Sequence, residues 1–179
     1  MTRTALRICL GVALAVLLAW PQSGLAQGRG TNFAITADEP VQVDGDRLEV
    51  LEDQGRAIFE GNVRVVQGQT VMRTGRLVIH YARGEGGSLI EGGSAIERLE
   101  ASNGVNIQSG EQVATGERAE YDMASATLTL SGQRVTLSEA GNVATGCRLT
   151  VNMRSSRARL EGCGDQSSRP TILIQPRNR

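Results

Sequence analysis

Hydrophobic and polar positions alternate with a period of two along most of the chain beyond Val41. Leu128 and Leu130 lie between threonines, and Leu149 and Val151 lie between polar residues. Successive side chains on a strand point to opposite faces, so this alternation indicates strands with one buried face. The runs are about four to eight residues long, are bounded by Gly, Asn, Asp or Ser, and keep no helical period. The pattern therefore predicts an all-β, antiparallel protein.

Two short units recur along the predicted strands. The first is an apolar residue, a Gly-centred turn and a valine-rich strand start, at residues 59–65, 101–107 and 130–137, with a shortened copy at 160–162. The second is Thr-Gly before a strand, at 74–75, 115–116 and 145–146. A repeated strand pair with one apolar face cannot bury that face alone, so the pairs must stack into two facing walls. The prediction is an open-ended sandwich or jelly roll with an aliphatic interior.

Composition removes most enzyme classes from consideration. All 19 basic residues are Arg, so the chain lacks the lysine of a P-loop, a Schiff base or a Ser-Lys dyad. His80 is the single histidine, which excludes zinc sites built from several histidines. No catalytic residue, metal site or cofactor is predicted. An exported hydrolase with His80 as its base is a competing class, but an isolated surface histidine is the simpler interpretation.

The charge balance disfavours a nucleic-acid-binding module. The formal net charge of the whole chain is zero. Beyond residue 26 there are 17 Arg, 19 acidic residues and four aromatic residues, Phe33, Phe59, Tyr81 and Tyr121. Nucleic-acid modules need a basic surface and aromatic stacking platforms, so a slightly acidic chain with few aromatic residues is disfavoured as one.

The first 26 residues have the layout of a secretory signal peptide. Arg3 and Arg7 precede an apolar run at 8–20, and the small residues Gly24 and Ala26 indicate cleavage after Ala26. The apolar run is shorter than the roughly 20 residues that span a bilayer as a helix. An uncleaved membrane anchor is the alternative.

Two cysteines, Cys147 and Cys163, follow the signal peptide. Two thiols in an exported chain most simply form one disulfide, which stabilises a loop of this size by roughly 3 kcal/mol. A metal site is disfavoured because two cysteines without a nearby histidine are an incomplete ligand set. Cys147 shares a face with Leu149, whereas Cys163 is out of phase with Leu160. The disulfide therefore requires a twist or bulge near Gly162.

An open stack of strands has a first and a last edge that can recruit other strands. The predicted edge residues are Pro40, Val41 and Val43 at the first edge, where a proline suits an edge strand, and Arg157, Arg159 and Leu160 at the last. Residues 27–147 carry 10 Arg and 17 acidic residues (net −7), and residues 148–179 carry 7 Arg and 2 acidic residues (net +5). Opposite charge at the two ends favours head-to-tail contact. A solvated charge mosaic without a partner is the alternative.

The chain resembles the OstA/LptA family over residues 36–162. The resemblance is carried by residues 57–68, AIFEGNVRVVQG, which match the pattern Ala-x-Phe-x-Gly-Asn-Val-x-Val-x-Gln-Gly. Further matching segments are residues 37–43, 46–50 and 76–81. The later repeats match only at their Gly-Val and Thr-Gly pairs. The cysteine pair departs from the family pattern, as does a Gly-rich stretch at 83–94 that is predicted to be a long exposed loop.

This resemblance implies a periplasmic protein of lipopolysaccharide transport, with a β-jelly roll at 27–163 between the signal peptide (1–26) and a polar tail (164–179). The tail is predicted to be either disordered or a short strand that covers the last edge. Family members hold the acyl chains of lipopolysaccharide in an apolar groove and stack edge to edge into a bridge between the two membranes. The N-terminal edge would accept an LptC-like protein, and the C-terminal edge would meet an LptD-like protein or another copy. A self-assembling structural β-repeat protein without a groove and an LptC-like anchored component are the alternatives.

Apolar residues of one parity on the predicted strands are the predicted lining of this groove, and Phe59 is the preferred lipid contact. Ordinary core packing is the alternative for each of them. They are Phe59, Val63, Val65, Leu77, Ile79, Tyr81, Leu99, Ala101, Val105, Ile107, Ala119, Tyr121, Leu128, Leu130, Val135, Leu137, Leu149 and Val151.

Overall fold

The computed structural model describes residue 33 and residues 39–82, 95–164 and 169–176. Over these residues the chain forms one antiparallel sheet of eleven strands, which confirms the all-β prediction. The strands are β1 (Gln42–Asp44), β2 (Arg47–Leu51), β3 (Arg56–Gln67), β4 (Thr70–Tyr81), β5 (Ile96–Ser109), β6 (Gln112–Gly116), β7 (Arg118–Asp122), β8 (Thr127–Glu139), β9 (Asn142–Asn152), β10 (Arg157–Glu161) and β11 (Thr171–Leu173).

A single 3-10 turn, Glu52–Gln54, joins β2 to β3 in the described part of the chain. No helix among these residues is long and apolar enough to cross a membrane. The predicted signal peptide (1–26) and the predicted Gly-rich loop (83–94) lie outside the described residues.

One short strand pairs with the first part of each of β3, β5, β8 and β9, and another pairs with the second part, so the sheet divides into two halves. β2 pairs with the first part of β3, and β1 pairs with the second part. β7 and β6 share β5 and β8 in the same way, and β10 and β11 share β9. We call the half that contains β2, β7 and β10 wall A, and the half that contains β1, β6 and β11 wall B. The long strands β3, β4, β5, β8 and β9 contribute to both walls.

The long strands pass from one wall to the other through β-bulges. The β3–β4 register shifts between Glu60 and Val63, where Gly61 and Asn62 have φ angles of 75° and 49°. Similar shifts interrupt the β4–β5 and β8–β9 pairs. The prediction of Gly-centred turns between strands of four to eight residues is therefore wrong. The inserted residues bend the strand without reversing it, and β3 continues for 12 residues.

The Thr-Gly repeat marks positions beside these bulges where no side chain fits. A Cβ atom on Gly75 would lie 2.8 Å from the Asn103 Cβ, and one on Gly116 would lie 2.8 Å from the Leu130 Cγ. A Cβ atom on Gly146 would lie 2.5 Å from a backbone oxygen of β10. The repeated glycine is therefore required by close packing at each crossing between the walls.

Each wall presents continuous rows of apolar side chains to the interior, in register across eight strands. The central row of wall A is Leu48, Phe59, Leu77, Ala101, Ala119, Leu130, Leu149 and Leu160. The matching row of wall B is Val43, Val65, Met72, Ile107, Ala114, Leu137, Ala144 and Ile172. The buried residues of both walls form one hydrophobic cluster, so the walls face each other as a jelly roll.

The predicted disulfide between Cys147 and Cys163 is present, with the two Cα atoms 5.0 Å apart. β10 ends at Glu161, so Cys163 lies beyond the β9–β10 ladder, and the expected twist or bulge near Gly162 stays a prediction. The chain then returns to pair Thr171–Leu173 with β9. The tail thus contributes a short strand to the last edge, which was the second of its two predicted alternatives.

Candidate functional site

The space between the two walls is the candidate site, and it is nearly filled at its centre. A void of about 20 Å³ is lined by Met72 and Ile107 of wall B and by Leu99, Leu128 and other residues of wall A. A space of this size holds about one water molecule. The groove that the family resemblance implies therefore has little free space at this position.

Phe33 completes the lining of this void. Its side chain is 2% exposed and belongs to the same hydrophobic cluster as the residues of both walls. Every other buried residue of the described core lies on a strand, whereas Phe33 precedes β1. Sequence reasoning missed this residue, because a single aromatic outside the alternating pattern carries no periodic signal.

The structure places all eighteen predicted lining residues on the inner faces of the walls. Sixteen are buried, and Phe59 and Leu137 are half-buried against the same cluster. The inner faces also hold Ala57, Met72 and Ala114, which the sequence prediction left out. The parity of β3 was the signal that would have included Ala57, whereas the bulge beside Gly75 shifts the parity of β4 between Leu77 and Met72. Contact between any of these residues and a lipid stays a prediction.

Two small residues, Ala101 and Ala119, line the same void as Phe33. Ala101 and Ala119 stand opposite each other at the middle of the central row of wall A. Leucines occupy the next positions on either side, Leu77 and Leu130. The inner surface of wall A therefore has a depression at two adjacent strands, and the void and the ring lie over this depression.

Wall B ends in a polar row rather than an apolar one. Gln67, Thr70, Ser109 and Gln112 stand opposite one another in register, and all four are buried. The Thr70 hydroxyl donates to Ser109 Oγ at 3.1 Å, and the Gln67 amide donates to the backbone oxygen of Glu39 at 2.8 Å. The interior is thus amphipathic, because apolar rows are bounded along one side by hydrogen-bonding groups.

Wall A carries the buried phenol of Tyr81, the last residue of β4. Tyr81 is buried, and its hydroxyl has no hydrogen-bond partner among the residues that the structure describes. Buried hydroxyls in folded proteins are usually paired. This hydroxyl therefore has a donor and an acceptor that no described residue uses.

Ionisation of Tyr121 at alkaline pH should lower the free energy of unfolding. Burial raises the pKa of its phenol above the ordinary value of about 10; the Arg154 charge opposes this shift and the Asp122 charge adds to it. A raised pKa in the folded state means that stability is full below about pH 10 and falls as the pH rises through the folded pKa. Urea unfolding between pH 9 and pH 11.5 should show this fall, and the Tyr121→Phe variant should show a shallower one. Equal slopes in both proteins would contradict the assignment.

The outer face of wall A carries ion pairs. His80 Nε2 and Arg98 Nε each lie 3.2 Å from Glu100 Oε1, and Arg76 Nε lies 3.2 Å from Glu60 Oε1. His80 therefore lies beside a carboxylate that Arg98 also approaches, and the prediction of an isolated histidine is wrong. In the described parts of the chain, His, Cys, Asp and Glu side chains form no cluster of three that would hold a metal ion.

The first edge of the sheet is formed by β1 and β2. Val43 lies in β1 and is half-buried, whereas Pro40 and Val41 precede the strand that was predicted to contain them. Leu48 of β2 is an apolar side chain that is 48% exposed. Residues 39–53 carry six acidic residues and one Arg, so this edge is acidic.

The last edge of the sheet is formed by β10 and β11. Arg157 and Arg159 are exposed on β10, and Leu160 is half-buried. Ile172 and Leu173 of β11 are each more than 60% exposed. Residues 154–161 carry three Arg and one Glu, so this edge is basic and ends in an exposed aliphatic strand.

Comparisons with known proteins agree with this architecture. Residues 42–157 match the family model described as LptA/(LptD N-terminal domain) LPS transport protein. An uncharacterized protein of Rhizobium meliloti (strain 1021) is 38% identical over 170 residues, which cover 95% of this chain and 88% of that protein. A second uncharacterized protein, from Rhizobium etli, is 43% identical over 54 residues, which cover 26% of this chain and all of that protein. It is described as lying in the 5′ region of an rpoN-linked probable transport protein.

A solved structure shares the fold. LptH, the LptA-homologous periplasmic component of the lipopolysaccharide transport device of Pseudomonas aeruginosa, superimposes with a TM-score of 0.63 at 18% identity. The match covers 77% of this chain and 96% of LptH. The β-jelly roll with its shared walls is therefore the LptA fold. Together with the family match over residues 42–157, these features establish that the chain belongs to the LptA/LptD N-terminal domain family of lipopolysaccharide transport proteins.

Proposed function

We propose that this protein is a periplasmic carrier that binds the acyl chains of lipopolysaccharide between walls A and B on the way to the outer membrane. The observation that carries the proposal is the set of apolar inner rows that run unbroken from the first edge to the last. Such rows give a fatty chain an apolar surface across eight consecutive strands of each wall. In this proposal the signal peptide directs export to the periplasm and is cleaved after Ala26.

The energetics favour a continuous interior for this task. Each methylene group removed from water stabilises a complex by about 0.8 kcal/mol, so a lipid with several acyl chains needs apolar cover throughout the periplasm. Neighbouring strands present apolar residues about 4.8 Å apart, so a chain that leaves one strand meets an apolar contact on the next. A lipid can therefore advance from strand to strand without entering water. The direction of movement then has to come from partners that consume ATP.

Polar groups at the boundary of the interior can hydrogen-bond the polar part of a bound lipid. The buried row of Gln67, Thr70, Ser109 and Gln112 and the Tyr81 hydroxyl lie beside the apolar rows. Ester and amide carbonyls and the 3-hydroxyl groups of a lipid accept and donate hydrogen bonds to such side chains. We expect the apolar rows to hold the alkyl segments and this boundary to face the sugar end.

The two edges support a place in a bridge. Each edge exposes the backbone of two short strands and at least one apolar side chain, Leu48 at the first edge and Ile172 at the last. Such edges add strands from other proteins. The acidic first edge would accept an LptC-like protein, and the basic last edge would accept an LptD-like protein. A second copy of the chain fits as well, since its acidic first edge complements the basic last edge.

Photo-crosslinking in living cells tests the carrier function. A photoreactive phenylalanine analogue at Phe59, a half-buried inner position, should label lipopolysaccharide, and the label should fall when ATP supply is removed. The same analogue at Arg73, an exposed position on wall B, is the matched control and should label little. A label at both positions alike, or one that is insensitive to ATP, counts against transport.

A purely structural β-repeat protein is the second candidate, and the filled centre of the interior favours it. Titration of the purified protein with lipopolysaccharide separates the two functions. Saturable binding that depends on the acyl chains supports the carrier. Absence of binding to both lipopolysaccharide and its deacylated form supports the structural protein.

A further inference from the structure

The Phe33 ring is the least expected component of the interior. It lies between the walls, in contact with the void that Met72 and Ile107 line from wall B and Leu99 and Ala101 line from wall A. Its side chain is 2% exposed, which is close to the 0–1% of Leu77, Leu130 and Leu149 at the centre of the sheet. Phe33 nevertheless lies outside the strands and contributes a side chain, rather than a strand, to the core.

We propose that Phe33 is an internal occupant of an acyl-chain position, and that a lipid must displace its ring to bind there. The inference rests on the proposed carrier function and adds a determinant of its affinity. The depression at Ala101 and Ala119 is built into the sheet by two facing alanines, so the space exists independently of the ring. A phenyl ring and a short alkyl segment are both apolar groups that such a space accepts.

The residues of wall B that face the depression can accommodate either the Phe33 ring or an alkyl chain. Met72 and Ile107 face the depression from adjacent strands of wall B. Methionine has three rotatable bonds and a polarisable sulfur, and it adapts to guests of different shape. Thr70 also lines the void, so an alkyl chain here would lie beside the polar row of wall B. The void therefore joins the two parts of the interior that an amphiphile requires.

The ring should weaken lipid binding by competition. When the binding-competent state is a fraction of the population, the apparent affinity falls by that fraction. Burial of a phenylalanine side chain favours the occupied state by a factor of about 10 to 100. Removal of the ring should therefore increase the affinity for a single alkyl chain about ten- to hundredfold.

The first experiment measures binding of lauric acid by calorimetry, below the concentration at which it forms micelles. The Phe33→Ala variant should bind about ten- to hundredfold more tightly than the native protein. The matched control is Leu149→Ala, because Leu149 is equally buried but does not line the void. An equal gain in Leu149→Ala would show that any new core cavity binds the probe, and it would overturn the proposal.

The second experiment reports displacement directly. Trp20 is the single tryptophan of the chain and leaves with the proposed signal peptide, so Phe33→Trp in the mature protein places one indole at the void. Its emission should be that of a buried indole without lipid and should shift to longer wavelength as lauric acid is added. The midpoint should coincide with the calorimetric midpoint.

The outcomes separate this proposal from the carrier function. If lauric acid and lipopolysaccharide bind, Phe33→Ala binds no more tightly and the indole stays buried at saturation, the displacement proposal is overturned and the carrier function stands. If neither probe binds to the native protein or to any variant, the carrier function itself is overturned. A shift to longer wavelength together with tighter binding by Phe33→Ala supports both.

Discussion

Replacement of Leu130 by Ala lowers the free energy of unfolding by about 2–5 kcal/mol. Leu130 is fully buried in the central row of wall A. Its neighbours across the strands are Ala119 and Leu149, and the backbone of Gly116 packs directly against its side chain. A small residue and a glycine cannot fill the cavity that the truncation leaves, so we expect a value in the upper half of this range.

Urea unfolding followed by circular dichroism measures this change. The matched control is Leu48→Ala, which removes the same atoms from the same row at the first edge, where the side chain is 48% exposed. Its free energy of unfolding should fall by less than about 1 kcal/mol, because an exposed side chain contributes little burial. Similar losses in the two variants would show that the row does not form one buried core.

Reduction of the Cys147–Cys163 disulfide lowers the free energy of unfolding by about 3 kcal/mol. The two cysteines are 16 residues apart in sequence, and a loop of this length closed by a disulfide has that effect in the chain-entropy model. The disulfide also fixes the point from which the chain returns to β9. We therefore expect the amide protons of Thr171–Leu173 to exchange much faster after reduction.

Denaturation with and without a reducing agent tests the first part, and hydrogen exchange tests the second. The Cys147→Ala/Cys163→Ala variant is the control, since its stability should match that of the reduced protein and should not respond to the reducing agent. If exchange of Thr171–Leu173 is unaffected by reduction, β11 docks independently of the disulfide and the structural part of this prediction fails.

Strand parity explains why the interior was predictable. Leu77 and Ile79 of β4 lie on one face because side chains two apart on a strand point the same way. Leu149 and Val151 of β9 follow the same rule, and all four are buried. The rule depends on local backbone geometry alone, so it holds without knowledge of which strands pair.

The bulges explain why the strand boundaries were not predictable. Gly61 and Asn62 have the composition of a tight turn, and their positive φ angles are those of turn residues. Whether such a pair reverses the chain or bends it depends on the partner strand. In this protein β4 continues alongside β3 on both sides of the pair, so the strand bends from wall A into wall B.

The sequence by itself determined the fold class, the inner faces of the strands, the cysteine pairing and the acidic and basic ends of the stack. Each of these depends on residue type and on spacing along the chain. The tertiary structure alone decided that Phe33 joins Ala101 and Ala119 in lining one void and that β11 returns to the last edge. These contacts join residues distant in sequence, and their free energy depends on which surfaces meet, a property that no local pattern contains.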